Sequence, residues 1–191
     1  MPREFSIENE YLKVTVTTWG AQVKSVIRKC DGVEHIWQAD PTLWGYHAPI
    51  LFPFVGRFPA SGYTLDGEPN QMKIHGFASK SLFAPIVLEK DRIVLELTDS
   101  EETLAQYPRH FSFRVEYALQ ENRLETTFHV LNRDEKTMYF GLGGHPGFRV
   151  PLEEGLSFED YRLELPEAKD TKIVTFSENL LVSGMVPYPA E

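Results

Sequence analysis

The sequence predicts an all-β protein, an antiparallel β-sandwich forming a single domain over residues 1–191. Apolar and polar residues alternate with a period of two in several separate segments, the pattern of strands buried on one face. Turn-forming residues fall between those segments. Strand–helix–strand alternation, from which a parallel α/β sheet is built, occurs nowhere.

The elements follow in chain order. In 12–17, Leu12, Val14 and Val16 face one way and Lys13, Thr15 and Thr17 the other. Asp31-Gly32, between KSVIRK and EHIWQ, predicts a hairpin turn, because these residues tolerate the positive φ that a tight turn needs. The stretch 41–78 breaks the pattern, with five prolines and five glycines among aromatics. Proline removes backbone donors and glycine weakens strands, so ordered loop with short strands is expected there. A long loop in a compact domain is a common carrier of function, and the aromatic content argues against disorder.

Strand alternation resumes at 92–98 (RIVLELT). A short helix is expected at about Glu101–Gln106, with Asp99 or Ser100 as N-cap, acids in its first turn and a stop at Pro108. In 111–117, Phe111, Phe113, Val115 and Tyr117 oppose Ser112, Arg114 and Glu116. In 124–130, Leu124, Thr126, Phe128 and Val130 oppose Glu125, Thr127 and His129. Turns at Gln120–Asn122 and Asn132–Lys136 separate three successive strands, as in a meander. A last, shorter strand is expected at 161–165 (YRLEL).

Composition excludes several function classes. A hydrophobic fraction of 42% with 25% charged residues fits a soluble protein with one sizeable core. The net charge of -9 argues against nucleic acid or an anionic membrane surface as partner, since either needs a basic footprint. No apolar run reaches the length of a membrane span, and MPREFSIENE lacks the order of a signal peptide. The single cysteine, Cys30, can form neither an internal disulfide nor a cysteine zinc cluster, which suggests a reducing cytoplasm. Aromatics make up 13% of the chain. They fill β-cores first and can also stack on sugar rings.

No His-x-His, His-Glu-x-x-His or Cys-x-x-Cys spacing occurs, so no metal and no cofactor are expected. His35, His110 and His129 read as surface or satisfied residues, and His47 stays open. There is no Gly-x-Ser-x-Gly, and Cys30 has no base near it. Three fragments remain: PFVGRF with Arg57, KIHGFAS with His75 and GGHPGF with His145. Each sets one functional side chain beside glycine, in segments that can converge at one mouth of a sandwich. An arginine fork binds neighbouring hydroxyls or an anionic group, and two imidazoles of near-neutral pKa can exchange protons at physiological pH. The octapeptide GLGGHPGF (141–148) itself reads in two ways: a turn between strands, or a histidine at a strand end that a ligand approaches.

The order PFVGR…HGFAS…TLAQYPRHF…GGHPGF resembles the aldose 1-epimerase (galactose mutarotase-like) family, most nearly its bacterial LacX-type branch, from about residue 5 onward. The resemblance implies an antiparallel β-supersandwich and a metal-free site that interconverts the α- and β-anomers of hexoses. It implies His145 as the acid that protonates the ring oxygen, His75 as a group binding near that oxygen, and Arg57 as a holder of sugar hydroxyls. The glycines would then admit a sugar ring close to the backbone, with Pro146 fixing the direction of the imidazole.

The family's base is a glutamate in the C-terminal part of longer chains. Neither Glu178 nor Glu191 matches it, and a substrate-binding aspartate also lacks a counterpart. Gly147 stands where an aromatic often follows the His-Pro pair, and Phe83 where a tryptophan is common. The chain thus reads as a C-terminally truncated member, expected to expose a sheet edge and to form a homo-oligomer through it. Two other readings stay open: a non-catalytic carbohydrate-binding or sensing domain on the same fold, and a structural or interaction domain without a ligand. Net charge and the scarcity of clustered arginines favour neutral hexoses over hexose phosphates.

Overall fold

The computed structural model describes residues 1–164 and 170–188. Three strands open the chain: β1 (Glu4–Glu8), β2 (Leu12–Thr17) and β3 (Val23–Arg28), hydrogen-bonded in the order β1-β2-β3. The alternation in β2 turns Leu12, Val14 and Val16 inward and leaves Lys13 in solvent. The proline-rich stretch supplies the short strands β4 (Ile50–Leu51), β5 (Gly62–Leu65) and β6 (Glu68–Gln71). Then come β7 (Ala84–Leu88), β8 (Arg92–Thr98), the helix α1 (Glu101–Leu104), β9 (Phe111–Gln120) and β10 (Arg123–Asn132). These strands form an antiparallel sheet in the order β10-β9-β8-β7, a meander. Finally β11 (Gly143–Gly144) pairs with β4, and β12 (Lys172–Phe176) forms a hairpin with β13 (Val182–Pro187).

The two larger sheets share one core. Ile7, Val14 and Val16 from the first meet Ile93, Leu95, Phe113, Val115 and Tyr117 from the second, all buried in a single cluster. Side chains of this size stabilise by about 1.5–3 kcal/mol each when fully buried. The Tyr117 hydroxyl crosses between the layers and donates to the Ala21 carbonyl at 2.7 Å. Its burial pushes the phenol pKa up. The rims are stitched by Glu8 N–H to the Lys90 carbonyl at 2.7 Å and by Phe83 N–H to the Thr18 carbonyl at 2.8 Å. No helix among the described residues is long and apolar enough to cross a membrane.

Several expectations are corrected in detail. The helix is a single turn, capped by Ser100 rather than Asp99: the Ser100 side chain accepts from Thr103 N–H, and Thr103 Oγ1 accepts from Ser100 N–H at 2.8 Å. Asp99 instead accepts from Phe111 N–H at 3.0 Å. The Asp31-Gly32 turn forms, with Gly32 at φ +74°. Its return strand shrinks to one bridge, Ile27 to Glu34, because the Glu34 carboxylate takes the Val26 and Ile36 N–H groups, both at 2.8 Å. Residues 161–164 are not a strand, and Leu165 lies outside the described residues.

The meander also runs differently. After the turn at Asn132–Lys136 the chain does not return beside β10; it crosses to β4. Buried Tyr107 and Arg109 catch it on the way, with the Tyr107 hydroxyl on the Tyr139 carbonyl at 2.7 Å and Arg109 Nε on the Thr137 carbonyl at 3.0 Å. The outer edge of β10 is therefore unpaired among the described residues.

Candidate active site

GLGGHPGF is not a turn. It runs extended against residues 47–53, and backbone bonds hold it on both sides. Gly141 N–H donates to the Pro53 carbonyl at 2.7 Å, His145 N–H to Pro49 at 3.0 Å and Gly147 N–H to His47 at 2.8 Å. On the other side Trp37 N–H donates to the Gly147 carbonyl at 2.9 Å. The glycines serve close packing. A Cβ on Gly143 would stand 3.3 Å from Val55 Cγ2. One on Gly147 would stand 2.7 Å from Trp44 Cζ3 and 3.0 Å from Trp37 Cβ. Two tryptophans thus occupy the space that an aromatic at position 147 would need.

The HGFAS segment wraps around one carbonyl. Phe77 N–H and Ala78 N–H both donate to the Phe52 oxygen, at 3.0 and 3.1 Å. Gly76 (φ +72°) lies so close to it that a Cβ would sit 2.3 Å from that oxygen. His75 has a φ of +66°. A reciprocal pair of bonds holds it there: its N–H donates to the Gly56 carbonyl at 2.8 Å, and Gly56 N–H donates to His75 Nδ1 at 3.1 Å. A ring nitrogen that accepts keeps its lone pair, so the neutral His75 ring carries its proton on Nε2. Burial first, then the neighbouring His145 and the Arg57 guanidinium, pull the His75 pKa below the ordinary histidine value. At neutral pH His75 is a neutral imidazole presenting an Nε2–H donor.

The two segments bring the imidazoles together. The His75 and His145 ring centroids lie 6.0 Å apart, and the Trp44 ring centroid lies 5.3 Å from that of His145. Both histidines line a cleft of about 160 Å³ with Trp44, Tyr46, Leu51, Ser79 and Lys80. Arg57 is not in this cleft. It is exposed in the adjoining depression with Lys73 and Lys80, close enough to His75 to depress its pKa by charge. None of the described residues lining the cleft is a carboxylate. Glu178 lies in the Arg57 depression, and Glu191 is outside the described residues.

Three of the remaining histidines have side-chain partners. His47, half-buried and lowered in pKa chiefly by burial, donates from Nδ1 to the Trp37 carbonyl at 2.9 Å. It thus ties the Trp37 segment to residue 47, whose own carbonyl holds Gly147. His110 bonds Asp99 at 2.7 Å, and His129 lies 3.6 Å from Glu116. Sequence reasoning did not single out Trp44 or Tyr46. Both belong to the aromatic-rich loop, but composition alone does not separate aromatics that enter the core from those that wall a cleft.

The profile of the aldose 1-epimerase family matches residues 3–184. The chain is 38% identical over 173 residues to the chromosomal protein LacX of Lactococcus lactis subsp. lactis, a match covering 87% of this chain and 58% of the relative. The plasmid-borne LacX of the same organism matches to the same extent. Among solved structures, a galactose mutarotase related enzyme from Lactobacillus acidophilus superposes with a TM-score of 0.91 at 37% identity, covering 97% of this chain and 63% of that one. A galactose mutarotase-like protein from Lactobacillus casei ATCC 334 gives 0.77 at 34% identity, covering 80% and 52%. The chain thus spans less than two thirds of the relatives it matches. A family match running through both imidazole-bearing segments, over the same antiparallel sandwich, makes this chain a member of the aldose 1-epimerase family.

Proposed function

We propose that this chain acts on hexoses and interconverts their α- and β-anomers by opening and closing the ring. The observation that carries the reading is the pair of imidazoles 6.0 Å apart, set against an aromatic wall in one cleft. In the forward step a base removes the proton of the C1 hydroxyl, and the C1–O5 bond breaks as C1 becomes a carbonyl. The ring oxygen takes a proton from His145. Rotation about C1–C2 presents the other face, and the reverse transfers close the ring. His75, fixed as an Nε2–H donor, bonds near the ring oxygen. Arg57, at the rim, holds a hydroxyl that projects beyond the cleft.

A positioned acid or base contributes about 10²–10⁴-fold each. None of the described residues lining the cleft is assigned as the base, so the chain is expected to be slower than a full acid–base pair by about that factor. Neutral hexoses are the proposed substrates, a reducing cytoplasm fits the lone exposed Cys30, and the open β10 edge is the proposed route to self-association.

Polarimetry of freshly dissolved α-glucose and α-galactose tests the reading, with the chain, with His145→Ala and with a buffer blank. The expected result is a faster drift that the variant loses. Coincident traces would reject catalysis; sugar-dependent shifts of the His75 and His145 resonances in that case would identify a carbohydrate-binding site without turnover.

A further inference from the structure

The aromatic residues of the 41–78 stretch divide into two sets. Phe52, Phe54, Phe58, Tyr63 and Phe77 pack within or against the hydrophobic core. Trp44 and Tyr46 do not; they stand at the cleft, Trp44 half-buried and Tyr46 exposed. Their ring centroids are 6.0 Å apart. A large indole left out of the core is still firmly placed. Trp44 N–H donates to the Asp40 carbonyl at 2.8 Å, and its own carbonyl accepts from Trp37 Nε1 at 2.8 Å. Gly147 leaves the room its ring occupies, since a Cβ there would meet Cζ3 at 2.7 Å. The ring thus stands tilted by 39° to the His145 imidazole.

We propose that Trp44, with Tyr46 beside it, is the stacking platform of the cleft, receiving the C–H face of a pyranose ring while the two imidazoles meet its oxygens. This rests on the reading of the cleft as a sugar site and names the feature of the sugar that it selects. A pyranose carries its hydroxyls around the rim and presents C–H bonds on its faces. The negative face of an indole attracts such polarised hydrogens, and covering them removes apolar surface from water. His75 and His145 line the same cleft as the platform, the His145 ring centroid 5.3 Å from that of Trp44, within reach of oxygens on a ring held there. The ligand class is therefore a cyclic aldose. An open-chain polyol offers the same hydroxyls without a flat C–H face and should be excluded.

The chain is titrated with D-glucose, D-galactose and sorbitol, followed by tryptophan emission and by the ring resonances of His75 and His145. The expected result is that both hexoses change the emission of the wild type but not of Trp44→Phe, and that sorbitol changes nothing. Tyr46→Ala, at an exposed position that the fold does not need, should weaken hexose binding about threefold, and Trp44→Ala about tenfold. Hexoses that move the imidazole resonances without changing Trp44 emission would overturn the platform and leave the sugar site standing. Sorbitol binding as well as the hexoses would overturn it too. If neither the imidazoles nor the emission responds to any hexose, the sugar reading fails and the platform with it.

Discussion

His75 shows how one residue's environment sets its chemistry. Its Nδ1 accepts from Gly56 N–H, and its pKa is held down by burial and then by the neighbouring His145 and the Arg57 guanidinium. The folded state therefore binds fewer protons at His75 than the unfolded chain, whose histidines titrate near about 6.5. The stability linked to this group is complete above that value and is lost as pH falls through the lower folded pKa. His47 is shifted in the same direction by burial, whereas the Asp99 bond raises His110, so residue-resolved NMR titration is needed to separate them. Arg57→Ala removes the guanidinium charge that helps depress His75. The His75 midpoint should then rise toward the ordinary value, and an unchanged or lower midpoint would show that Arg57 does not act on it. Gly76 makes a separate demand. Gly76→Ala places a Cβ 2.3 Å from a backbone oxygen at a φ of +72°. That combines overpacking with a left-handed alanine and should cost about 3 kcal/mol, seen as a lower midpoint of urea unfolding.

Between elements, the placement of His145 depends on a side chain far from it in sequence. Arg109 is only 2% exposed. It donates to the Thr137 and Pro108 carbonyls at 3.0 and 2.7 Å and to Asp66 at 2.7 Å. It thereby fixes the segment that leads from β10 into β11. Arg109→Met keeps the bulk of the stem but strands two carbonyls and leaves Asp66 with Lys136 alone, a loss of about 2–4 kcal/mol. The Gly141 and His145 amides should also exchange faster with solvent, and unchanged protection there would refute the clamp. This contact explains what the sequence could and could not tell. The alternation in β2, β8 and β9 was legible because each strand is decided by its own residues and one buried face. The course of 133–142 was not, because Arg109 and Tyr107 decide it from the far side of β9. Likewise the Asp31-Gly32 turn was legible, but the loss of its return strand depends on the Glu34 carboxylate. The motifs pointed to His75 and His145, whereas Trp44 and the displacement of Arg57 from the cleft became visible only with the backbone path.

At the scale of the molecule, the two faces of the sandwich are unequally covered. β9 alternates between buried and half-buried positions, yet its neighbour β10 has no fully buried residue. Leu124, Phe128 and Val130 only partly reach the core, and an apolar groove of about 340 Å³ lies beside them, walled by Val26, Ile36, Ile50 and Phe148. Phe148 is 68% exposed. Among the described residues the β10 edge is a row of unpaired N–H and C=O groups next to this apolar surface, and both features favour association. The center of the edge, Thr126 to Leu131, holds no lysine or proline that would block pairing. Two copies meeting edge to edge would extend the sheet and cover both grooves. Sedimentation velocity over a concentration series should therefore show a reversible shift to a faster species. Thr126→Lys sets a charge on the exposed groove wall without removing a core side chain, and should return the chain to the slower one. A single slow boundary for the wild type at every concentration would show that the edge does not pair.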